Sequence, residues 1–83
     1  MLDVNAELRD FEMSTRHITE GRQRIRRQIG LVRELRADGH DTTLALQFLH
    51  VLCGAVAAER EHRALVAKVL VERMPGYRPP DGP

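Results

Sequence analysis

The stretch "ADGHD", residues 37–41, decides the fold. Gly39 suits the left-handed residue that closes an α-helix, and Asp41 suits the N-cap of the next, with Thr42 and Thr43 opening it. On either side the chain runs long and helical. No proline lies between residues 1 and 74, and no alternating strand pattern appears. The reading is a helix over about 4–37, a turn at 38–41 and a helix over about 42–74. A turn this short makes the helices antiparallel neighbours. Residues 75–83, within "MPGYRPPDGP", are expected to form a Pro/Gly-rich flexible tail, with Pro75 and Gly76 ending the second helix.

In the first helix Val4, Leu8, Phe11, Thr15, Ile18, Arg22, Ile25, Ile29 and Val32 follow the 4-3 spacing of a bundle seam. Thr15 and Arg22 interrupt it in the middle, beside Gly21, where a missing side chain would let another helix come close. The second helix is apolar on most sides. Its inward line is Ala45, Phe48, Leu49, Leu52, Ala55, Val56, Glu59, His62, Val66, Val69 and Leu70. Further apolar residues flank that line: Leu44, Val51, Ala58 and Leu65 on one side, Leu46, Cys53 and Val71 on the other. One partner helix cannot cover so wide a face. The fold class expected is therefore all-α: an antiparallel two-helix hairpin that dimerises into a four-helix bundle. Leu44, Leu46, Val51, Leu65 and Val71 are the candidate oligomer interface.

An 83-residue chain makes one small domain, which is often marginal alone. A single cysteine, Cys53, excludes an internal disulfide and is expected to be a small buried hydrophobe in a reducing compartment. The opening "MLDVNAELRDFE" has no signal-peptide pattern. The apolar run 44–58 is shorter than the ~20 residues of a membrane span. A soluble, cytoplasmic protein without membrane partners is expected. Net charge is +1, unevenly spread: residues 14–37 carry seven arginines against Glu20 and Glu34. The run "GRQRIRRQ", residues 21–28, distributes its arginines around the helix and brings no stacking aromatics or zinc motif. It reads as a solvated face, with no specific nucleic-acid binding expected.

"HITEGR", residues 17–22, and "EREHR", residues 59–63, interrupt the two apolar faces. If residue i faces residue 80 minus i, they meet at one level, bringing together His17, Glu20, Arg22, Glu59, His62 and Arg63. The leading interpretation is structural: an Arg22–Glu59 ion pair and hydrogen-bonded histidines that fix register. A metal site is the second, from His17, Glu59 and His62, since Glu59-x-x-His62 and His17-x-x-Glu20 have the spacing of carboxylate-bridged bundles. A small-anion pocket using Arg22, Arg63 and the histidines is the third. Ser14, Thr42 and Thr43 have no triad around them.

The stretch "HITEGRQRIRRQIGLVRELRADGHDTTLALQFLHVL", with "EREHR" after it, resembles a group of short alphaproteobacterial helical proteins. Their pattern is a histidine, "EG", an arginine-isoleucine helix, "GHDT" and a leucine-rich helix ending in "HR". The resemblance covers most of residues 16–63. It implies a self-contained helical protein and brings no activity with it. The expected function is a small, non-enzymatic, self-associating interaction or regulatory module with no cofactor. It would be a homodimer, open to a further protein partner. The alternative is a metal- or small-anion-binding bundle.

Overall fold

The computed structural model describes residues 3–80. Helix α1 spans Val4–Ala37 and helix α2 spans Thr43–Arg73. They pack antiparallel as a hairpin of 56 × 20 × 14 Å.

Local chemistry sets the ends of both helices. The Asp3 carboxylate accepts from Asn5 N–H at 3.0 Å and caps α1. At the other end His40 N–H donates to Leu35 O at 2.8 Å, and Gly39 N–H donates to Arg36 O at 3.1 Å. With Gly39 at φ +73°, this is the Schellman closure. Thr42, not Asp41, is the N-cap residue of α2 and caps it with no side-chain hydrogen bond; Asp41, one residue earlier, accepts from the Thr43 amide at 3.0 Å and from the Thr43 hydroxyl at 2.7 Å. Those two bonds, the hydroxyl's foremost, hold the Asp41 carboxyl below its usual range. The C-terminus of α2 gives way at Pro75 and Gly76, the latter at φ +86°.

The α1 seam runs as its spacing predicts. Phe11, Ile18 and Val32 are buried, and Val4, Leu8, Thr15, Arg22, Ile25 and Ile29 are half-buried. Ser14 is buried beside it, its hydroxyl without a hydrogen-bond partner among the described residues. Such an orphan costs about 1 kcal/mol or more.

The α2 seam differs from the expected line. It is Ala45, Leu49, Leu52, Val56, Glu59, Arg63, Val66 and Leu70, every one buried or half-buried. Phe48 and His62, expected inward, are exposed, as is Ala55. The reason is angular: at 100° per residue one α1 helix covers a single 4-3 line, and these three lie on the next line round. Cys53 is likewise exposed on the opposite flank.

Register differs too. His17 stands opposite Glu59, Gly21 opposite Val56, and the Gln28 amide donates to Ala45 O at 2.9 Å. This is about one helical turn from the 80-minus-i rule. The closure at Gly39 and the non-helical residues 40–42 return the chain beside α1 before α2 begins.

The open end holds a hydrophobic core cluster: Phe11, Val66 and Leu70, with Val4, Leu8, Ala67, Met74 and Tyr77 against them. Of the segment read as a flexible tail, residues 75–80 run back along α1. Tyr77 joins this core, and the Pro80 carbonyl accepts from Arg63 at 3.3 Å. Residues 81–83 lie outside the described span.

Candidate functional site

The polar layer exists, with partners other than those expected. Antiparallel packing sets an edge of α1 carrying Asp10 and His17, seven residues apart, beside an edge of α2 carrying Glu59 and His62. His17 Nδ1 lies 3.5 Å from Glu59 Oε1. His62 Nε2 lies 3.1 Å from both carboxylate oxygens of Asp10. The Asp10 hydrogen bond, chiefly, raises the His62 pKa above its ordinary value. Slight desolvation opposes this, and the charges of Asp10, Glu59 and Glu7 add to it. Sequence reasoning missed Asp10. The signal was its heptad spacing to His17, which puts it on the same edge.

Arg63 is half-buried between the two helices and the returning tail. Its guanidinium lies over the Phe11 ring, 4.2 Å from the centroid, and its Nε donates to Thr15 Oγ1 at 2.8 Å. Thr15 in turn donates to Phe11 O at 3.1 Å. The Arg63 Nε and Nη2 each find an oxygen acceptor while the flat face of the guanidinium rests on an aromatic face. Thr15, an interruption in the seam, is thereby explained as the acceptor that admits Arg63.

The Arg22–Glu59 pair is not formed. Among the described residues Glu59 instead lies beside His17, and Asp10 beside His62. Arg22 sits on the other side of the seam, where with Arg26 and Arg60 it lines a cavity of about 320 Å³. The one-turn change of register explains this: Glu59 comes level with His17 instead. Glu20 is exposed, apart from the layer.

Of the three metal candidates, His17 and Glu59 are brought together and His62 is taken by Asp10. No group of three or more His, Cys, Asp or Glu side chains able to hold a metal occurs among the described residues. His17 and Glu59 also line a small cavity of about 140 Å³ with Gly21, Arg24 and Ala55.

The expected interface residues are exposed: Leu44 80%, Val51 62%, Leu65 64%, Val71 49% and Leu46 42%. They fall on two flanks of α2. Leu44, Val51 and Leu65 share one with Phe48, Ala55, Ala58, His62 and Val69. These eight repeat at 4-3 spacing, one residue ahead of the buried seam throughout. Leu46 and Val71 lie on the Cys53 flank. No helix among the described residues is long and apolar enough to cross a membrane.

Compared with protein-family models, with curated proteins and with solved structures, the chain has no match.

Proposed function

We propose that this protein is a small self-associating helical module. Its outer α2 line would pair with the same line of a second copy to complete a four-helix bundle. The observation that carries this reading is the second 4-3 line, Leu44, Phe48, Val51, Ala55, Ala58, His62, Leu65 and Val69. Such a line is a coiled-coil seam in spacing and composition, and all of it but the half-buried Val69 is exposed in the single hairpin.

The line reads nearly alike in both directions. Large residues stand at the ends and Ala55 and Ala58 in the middle. That pattern suits a twofold axis between the two alanines, with the α2 helices antiparallel and close at the centre. Phe48 of one copy would then meet Leu65 of the other, and Leu44 would meet Val69. The outer side of α1 offers nothing comparable: Arg16, Glu20, Arg27 and Glu34 stand there, all exposed.

In this reading the polar layer orients and the apolar line binds. The Asp10–His62 pair lies within the proposed line and the His17–Glu59 pair beside it, where they would set register and partner choice. Such a module acts by association, without catalysis, in a reducing compartment such as the cytoplasm, where its exposed Cys53 thiol would stay free. The test is thermal unfolding across protein concentration. An associating fold melts higher as concentration rises, and Val51→Glu with Leu65→Glu would abolish that dependence.

A further inference from the structure

The two flanks of the hairpin treat charge differently. On the outer-line side, His17 is near Glu59 and His62 is bound to Asp10. On the opposite side, Arg22 and Arg26 from α1 and Arg60 from α2 line one cavity of about 320 Å³. None of the three has a carboxylate within ion-pair distance among the described residues. Ile25 and Val56 from the two helices supply apolar wall, and the exposed Cys53 also lines it.

Three arginines lining one cavity, with no carboxylate paired to them, concentrate positive charge that a bound anion would offset. They carry more charge than a monoanion would neutralise. Guanidinium forks match phosphate and carboxylate oxygens bidentately. The apolar wall adds area for a non-polar group beside the oxyanion, and the volume falls in the range of small-ligand sites. We infer that the Arg22–Arg26–Arg60 cavity is a binding site for a small phosphate monoester dianion carrying an apolar group. The phosphate would rest on the guanidiniums and the apolar group against Ile25 and Val56. The site lies on the flank away from the proposed self-association line and does not depend on it.

Phenyl phosphate is the probe, followed by amide NMR shifts of the full chain, with inorganic phosphate and phenol as comparisons. The expected result is saturable binding with shifts centred on residues 22–26 and 53–60. Phenyl phosphate should bind several-fold tighter than inorganic phosphate, and phenol should give no saturation. Arg22→Gln and Arg60→Gln should each weaken it about tenfold, the loss of one charge-assisted contact. Arg33→Gln, an exposed residue outside the cavity, should leave it unchanged. In the unmodified chain, alkylation of Cys53 should slow as the probe saturates. Equal weakening by Arg33→Gln would overturn the inference, since it would mean diffuse attraction to arginines. So would the absence of saturation, or Cys53 alkylation indifferent to bound probe.

Discussion

A side-chain carbon placed on Gly21 would lie 2.6 Å from Val56 Cγ2, closer than two carbons can stand. The two helices thus come close at Gly21, and the glycine in "HITEGR" is a packing requirement. Gly30 is the contrast: a carbon added there meets nothing within 4 Å. Gly30→Ala should stabilise by up to ~1 kcal/mol, the helix-propensity difference. Gly21→Ala should destabilise by about 1–2 kcal/mol despite the same gain, because the β-branched Val56 cannot swing away freely. Denaturant unfolding of the two variants gives opposite signs if the packing is as described.

Glu59 is held by His17 at the edge of the layer, half-buried and with a half-exposed partner. Glu59→Ala should therefore cost less than ~1 kcal/mol, as for other solvent-screened pairs. A double-mutant cycle of Glu59 with Arg22 should be additive within error, since the two lie on different sides of the seam. A coupling above 1 kcal/mol would restore the Arg22–Glu59 pairing and with it the other register.

The Asp10–His62 contact makes stability depend on pH in one direction. A histidine whose native pKa is raised favours the native state fully below the unfolded value of about 6.5. That contribution is lost as pH rises through the higher native value. Chemical unfolding at pH 6 and pH 8.5 should give a larger free energy at the lower pH from this group. Asp10→Asn should shrink the difference. An NMR titration of the His62 ring should place its midpoint above that of the Asp10→Asn variant, and coincident midpoints would refute the pairing.

The hairpin was legible because Gly39, Asp41, Pro75 and Gly76 act locally, and local chemistry can be read from the chain. The α1 seam was legible because its outer side is polar, so its 4-3 line stands out. The α2 seam was not resolved, because two 4-3 lines lie one residue apart and both are largely apolar. Only the position of α1 separates Leu49 and Leu52 from Phe48 and Val51. The site was legible as a level in the hairpin and not as a set of contacts. Its partners depend on how residues 38–42 return the chain, and one helical turn there exchanges Arg22 for His17 opposite Glu59.

Self-association through the outer α2 line is tested most directly by sedimentation equilibrium on the native chain and on a Phe48→Lys, Leu65→Lys variant. Both positions are exposed in the single hairpin, 54% and 64%, so the substitutions leave its own core untouched. The expected result is a dimer for the native chain at micromolar concentration and a helical monomer for the variant. A well-folded native monomer at that concentration, or a variant that associates as strongly as the native chain, would contradict it.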